Sequence, residues 1–308
     1  MNYLVRHWSF DPVLIVIVLT VAAHELGLAR LKRRSSKRNS WRRRRNSLLF
    51  YAGLLLLLIA IVSPLDYWAS EYFFVHMLGH LLLSFFAPML IVAGAPWIPL
   101  MFALPVGARR SVGRFFYLSP KAAPARVIGR FIRNPWVAFG SFNLAMLVWH
   151  IPSWFDLAEQ NAFVHIWLMH TSFIVTGILF WLQIIPSHPI KPAVDPVIQV
   201  GAIVVTNVIM TLLAISMSIL TSVSWYKVYN NVPGVTFSPF ADQQIGAAIL
   251  WVCGDFWALP TISIIIRKAI ETEGSFSAVF DRIMGRGAAP SIESFRRPVV
   301  DVTDGPTE

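Results

Sequence analysis

The chain has 308 residues, of which 56% are hydrophobic and only 14% charged, with a formal net charge of +10. A soluble globular domain carries about 25% charged residues, so the composition excludes one and predicts an all-α, polytopic integral membrane protein. The positive balance would suit a nucleic-acid binder, but the cations lie between apolar spans with no separate basic fold to present them. Membrane topology explains them better, and nucleic acid is not expected as a partner.

The first apolar run, Pro12 to Ala29, follows Arg6 and contains Val21-Ala22-Ala23, which loosely resembles a signal-cleavage site. Ten Lys/Arg between Arg30 and Arg45 follow at once, a stop-transfer pattern, so this run is read as a retained helix. The next spans are Leu48 to Ser63 and Tyr72 to Ala93. From Ala95 to Pro135 the chain carries Pro96, Pro99, Pro105, Pro120 and Pro124, which predict short interfacial helices and turns rather than a domain. Four more spans follow, at Trp136 to Ile151, Val164 to Ile185, Val197 to Leu220 and Ile245 to Ile266. The count is therefore about seven, with six as the alternative. The second and fourth cover only about 24 Å at the helical rise, short of a roughly 30 Å hydrocarbon core. Leu65, Tyr67 and Trp68 would have to extend the second, and Phe131 and Ile132 the fourth.

Charge sets the orientation. Of 26 Lys/Arg, 24 fall in the Arg30 to Arg45 loop, the Arg109 to Arg133 connection, the Lys191 loop and the segment from Arg267 onward. Cations gather on the cytoplasmic side, which places the N-terminus outside and the C-terminus inside. The Arg42 to Arg45 run would also attract anionic lipid headgroups. The membrane domain is read as residues 1–270. The cytoplasmic tail, 271–308, is expected to be largely disordered, with Val279, Phe280, Ile283 and Met284 making one short amphipathic turn at the surface.

This threading gathers five of the eight histidines toward the outer face. His76 and His80, four residues apart, project from one side of the third span, a spacing that can hold one metal ion. Met146 and His150 repeat it in the fourth span, and His165 and Met169 in the fifth. His170 lies roughly 140° from His165 around an ideal helix, so these two share a face only where the first turn is irregular. Imidazole with thioether suits Cu(I), and Met77 is a further candidate ligand. Asp66, Glu71, Asp156, Glu159 and Asp242 fall near the outer span ends, where a carboxylate could hold the second ring nitrogen of a ligating histidine. Taken singly, each acid also fits an exposed loop, and each methionine fits plain packing. His7, His24 beside Glu25, and His188 read as satisfied polar groups. Asp255, deep in the last span near Cys253, suits a proton carrier, while hydrogen bonding with Asn143 or Asn207 would make it structural glue. Cys253 is the single cysteine, so neither a disulfide nor a thiolate cluster is available.

The run FYAGLLLLLIAIVSPLDYWASEYFFVHMLGHLLLSFFAPMLIVAGAPW, Phe50 to Trp97, resembles the polytopic CtaG family of cytochrome c oxidase assembly factors. The resemblance rests on Ser63-Pro64-Leu65-Asp66, on His76-Met77 with His80, on Pro88, and on Gly94-Ala95-Pro96. A second block holds Trp149-His150-Ile151-Pro152, Phe155-Asp156, His165, His170 and Phe180-Trp181. A third holds Asp242-Gln243-Gln244, Gly246 and Trp251. The likeness spans about Trp8 to Arg267, with departures at Gly79, Leu250 and Asp255. It implies a multi-pass protein of the bacterial cytoplasmic membrane that serves maturation of haem-copper oxidase, with a role in copper supply. It also implies a metal set of His76, His80, His150, His165 and His170.

The expected function is a non-enzymatic assembly factor that takes Cu(I) at the outer face and passes it to an oxidase subunit, with a periplasmic copper donor and membrane lipids as further partners. Ligation needs neutral imidazole, so metal retention is expected to fall as pH drops through about 6.5. Three other readings stay open: a b-type cytochrome clamped by His80 and His170, a copper or proton transporter using Asp255, and a metal-free scaffold.

Overall fold

A computed structural model describes residues 7–8, 12–32 and 40–285. The described chain is helical throughout, with one isolated bridge between Ser187 and Ile190 and no strand. Its helices are α1 (Val13–Lys32), α2 (Ser40–Val62), α3 (Pro64–Glu71), α4 (Phe73–Leu81), α5 (Ala87–Gly94), α6 (Trp97–Ala103) and α7 (Val106–Leu118). They continue as α8 (Ala123–Ile132), α9 (Pro135–Trp149), α10 (Pro152–Gln160), α11 (Thr171–Ile184), α12 (Pro196–Ser218), α13 (Pro239–Glu273) and α14 (Phe276–Ile283). Two π-helical segments, Leu82–Phe86 and Val164–His170, join α4 to α5 and lead into α11.

Among the described residues, six helical segments are long and apolar enough to cross a membrane: Val13–Leu31, Ser40–Val62, Phe73–Gly94, Val164–Ile184, Pro196–Ser218 and Pro239–Thr272. The chain is an all-α, multi-pass membrane protein. The seventh expected span is α9, which at 15 residues is a shorter apolar helix. Phe131 and Ile132 do not lengthen it. They end α8, and the Asn134 side chain accepts from Trp136 N–H at 2.9 Å while Pro135 opens α9 as a separate helix.

The second span differs from expectation in the same way. Leu65, Tyr67 and Trp68 belong to α3, not α2, because Pro64 has no N–H to continue the α2 ladder and Ser63 caps the new helix. Instead α2 reaches back to Ser40 and takes in Arg42 to Arg45. The last span is longer than expected, 35 residues or about 52 Å, so it must project beyond the apolar layer. It starts at the Ser238-Pro239 cap and ends at Gly274, whose φ of 80° suits glycine. The proline-rich connection forms α6, α7 and α8, and α14 covers the expected amphipathic turn. Residues 286–308 of the expected tail lie outside the described residues.

The α4–α5 span is the hub, with 67% of its most apolar stretch buried, against 22% for α1. It packs against α2, α11 and α13, while α12 and α13 pair along their length. Close approach at the first π segment depends on Gly177 of α11, where a Cβ would collide with the Ser84 carbonyl and Pro88. The hub's first two turns hold the histidine pair, and its last residue, Gly94, lies at the opposite, arginine-rich end.

Candidate metal centre

Five imidazoles from three parts of the chain meet at one end of the bundle. On α4, His76 and His80 stand one turn apart with their Nε2 atoms 2.6 Å from each other and their rings at 79°. The π-helix Val164–His170 performs the same service for His165 and His170. Its i→i+5 repeat sets residues five apart over one another, and their Nε2 atoms lie 2.9 Å apart. This is the irregular turn on which a shared face depended. His150 caps α9, its ring centroid 5.9 Å from that of His80, and the His76 and His165 centroids are 5.4 Å apart.

His150 has a defined tautomer. Its Nδ1 lies 2.6 Å from the Met146 carbonyl, which only accepts, so Nδ1 carries the proton and Nε2 presents a lone pair. That Nε2 is buried without a hydrogen-bond partner, as are Nδ1 of His80 and His170. Glu159, on α10, lies between the two histidine pairs, with Oε1 3.0 Å from His165 Nδ1 and 3.4 Å from His76 Nδ1. Burial pushes the Glu159 pKa up, but the neighbouring His76 and His165 outweigh it and the net shift is downward, so the carboxylate is ionised.

Aromatic rings close the space around the cluster. Phe155 packs against His76 at 4.8 Å between centroids, and Phe173 against His80 at 4.6 Å. The loop between α12 and α13 is pinned over them. The Tyr226 hydroxyl donates to the His150 carbonyl at 3.1 Å, and the Trp225 amide donates to Gln243 Oε1 at 2.6 Å. Burial and the nearby Asp156 push the Tyr226 phenol up, so it remains a donor. His165 is the most accessible imidazole of the five at 18% exposure. Together with Glu159, Asp66 and His7 it lines an outer cavity of about 490 Å³.

His76, Glu159 and His165 each offer one ligand atom within 4.8 Å of the others, a spacing compatible with one ion. Two nitrogens each about 2.0 Å from a tetrahedral ion sit about 3.3 Å apart, so the 2.6 Å His76–His80 contact must open slightly to admit one.

A model of the Caa3_CtaG family, described as cytochrome c oxidase caa3 assembly factor, matches residues 22–272. The chain belongs to this family. An uncharacterized protein of Mycobacterium bovis and another of Mycobacterium tuberculosis are each 28% identical to it over 203 residues. The match covers 65% of this chain and 30% of each relative, so the chain spans less than a third of the length of these curated relatives. No solved structure matches.

The remaining residues of interest within this Caa3_CtaG chain fall in other places. Asp242 does not hold an imidazole. Its carboxylate accepts from the Phe73 and Phe74 amides at 2.8 and 2.9 Å and so caps α4, whose own cap residue Tyr72 supplies no side-chain bond. Asp156 likewise faces backbone, the Lys227 and Val228 amides at 3.4 Å. Asp66 shares the outer cavity with His165. Asp255 accepts from Asn207 at 3.1 Å, and Asn143 donates to Thr206, which is the interhelical role. Met77 is fully buried and its side chain lies against Gly246 of α13. Met146 and Met169 are also buried, and each uses its carbonyl, toward His150 and Ser172 respectively. Glu159 was expected only as one of several outer acids. Its position four residues before the fifth span does not by itself single it out, because α10 must first fold back over α4.

Proposed function

We propose that this chain is an assembly factor of the bacterial cytoplasmic membrane that receives Cu(I) as cargo among His76, His80, His150, His165 and His170 and passes it to a haem-copper oxidase subunit docked in the same membrane. The supporting observation is the convergence of five imidazoles, with Nδ1 of His80 and His170 buried without hydrogen-bond partners and His150 Nε2 held as a bare lone pair. Such a set suits a borderline or soft ion and keeps the second ring nitrogens of His76 and His165 near one carboxylate. Glu159 anchors the site. Met77, Met146 and Met169, all buried, are the thioethers that could join this set. The chain acts as a carrier, making and breaking no substrate bond. A periplasmic donor would deliver the ion through the outer cavity.

A clamped haem suits the packing less well. The Nε2 atoms of His80 and His170 address His76 and His165, not one another, and Phe155 and Phe173 fill the adjoining space.

Metal analysis of the purified protein, loaded with Cu(I) and washed, tests the proposal. Wild type retains copper at pH 8 and loses it toward about pH 3, since protons compete for the imidazole lone pairs and burial pushes the His150 imidazole down to about 4. A His80→Ala/His150→Ala variant of normal yield retains little at either pH. Equal copper in the variant, or retention unchanged with pH, defeats histidine ligation.

A further inference from the structure

At the end of the bundle opposite the histidines, a cavity of about 280 Å³ lies between the last turns of α1, the first turns of α2 and the Gly94-Ala95 turn. Its polar lining is Arg42, Arg43, His24, His188, Asn46 and Ser47, with no carboxylate among its lining residues. The nearest acid on this part of α1, Glu25, is engaged by the Tyr51 hydroxyl. The other side of the cavity is apolar, formed by Leu28, Leu31 and Ile98.

Three features give the cavity a defined shape and charge. The start of α2, a 23-residue helix, contributes the positive end of its dipole. The walls are fixed: a Cβ at Gly94 would collide with α2 at Asn46 and Phe50, and Trp97 Nε1 donates to Ser187 Oγ, which donates to the Val92 carbonyl. Asn46 Oδ1 is buried there with no hydrogen-bond donor. An unpartnered acceptor beside two guanidinium groups fits a phosphate accompanied by a hydroxyl, either on the phosphorus of hydrogen phosphate or on a glycerol esterified to the phosphate.

We propose that this cavity binds such a phosphate group, present either in an anionic phospholipid headgroup such as phosphatidylglycerol or as free hydrogen phosphate. Arg42 and Arg43 hold the phosphate oxygens, and Asn46 accepts the hydroxyl. For a lipid, the apolar side formed by Leu28, Leu31 and Ile98 receives the start of an acyl chain. The four-arginine run is thereby divided. Arg42 and Arg43 line the cavity, whereas Arg45 lies over the Trp41 ring and Arg44 is not among the lining residues.

Native mass spectrometry of the full chain, purified and offered phosphatidylglycerol, phosphatidylcholine or inorganic phosphate, tests the site. Wild type should retain one phosphatidylglycerol in preference to phosphatidylcholine. An Arg42→Gln/Arg43→Gln variant should bind it roughly tenfold or more weakly, because charge-assisted hydrogen bonds are lost. An Arg44→Gln/Arg45→Gln variant, with the same net charge, should bind as wild type does. Ser47→Phe, which fills the cavity and keeps every charge, should also lose the lipid. Displacement of the lipid by millimolar inorganic phosphate, or binding of phosphate alone, would identify free phosphate as the occupant and still support the site. Equal loss in the two double variants, full binding by Ser47→Phe, or equal retention of phosphatidylcholine would overturn the proposal.

Discussion

Glu159 Oε1 lies within 3.4 Å of Nδ1 atoms from both histidine pairs, and that one atom sets how the rings present themselves. A carboxylate on Nδ1 keeps the proton there and leaves Nε2 of His76 and His165 basic, the role outer carboxylates play around ligating histidines. Glu159→Gln keeps the shape of the side chain and removes the charge. It should weaken Cu(I) binding about 10- to 100-fold while leaving the fold intact, as measured by competition with a colorimetric Cu(I) chelator. Unchanged affinity would show that the carboxylate is a bystander. His150 contrasts with these two, since a backbone carbonyl holds its tautomer and no acid is needed.

The helices were legible in part, and the misreadings have local causes. Hydropathy exposes six long spans, yet it stops at Leu48 for α2 because Arg42 to Arg45 continue the helix without apolar side chains. The break after Ser63 is marked by Pro64, but a proline that opens a new helix and a helix that merely weakens leave similar apolar text. The five histidines were legible because imidazoles stand out in apolar spans, whereas Glu159 and Asp242 were not distinguishable from solvated acids until α10 and α13 had folded beside α4. The π segment at Val164–His170 has no sequence signature of its own, although the five-residue His165–His170 interval only makes geometric sense with it. A π segment is an α-helix carrying one extra residue. Deleting Trp167, which faces outward, should restore α spacing with the two histidines four apart on one face. Cu(I) affinity should then stay within about threefold of wild type. Loss of copper by a well-folded deletion variant would show that the π geometry itself, beyond the shared face, is required.

Across the whole molecule, chemistry is segregated by end. The histidines, Glu159 and the outer cavity sit at the α4 start, while the arginine-bearing start of α2 lies beside Gly94 at the other end of the same hub. In the proposed bacterial membrane, the positive-inside rule would put the first end in the periplasm and the second in the cytoplasm. In spheroplasts carrying Cys253→Ala, a membrane-impermeant maleimide should label Ser70→Cys directly and Lys121→Cys only after permeabilisation. The reverse pattern would place the histidines in the cytoplasm, away from any periplasmic donor.

The proposed copper ligands are imidazoles drawn from α4, the α9 end and the π-helical entry to α11. X-ray absorption spectroscopy of the protein carrying one equivalent of Cu(I) tests it most directly. The account predicts a first shell of nitrogen near about 2.0 Å, with imidazole multiple scattering that is lost in His80→Ala/His150→Ala. A first shell of sulfur, or a spectrum indifferent to those two substitutions, would contradict it.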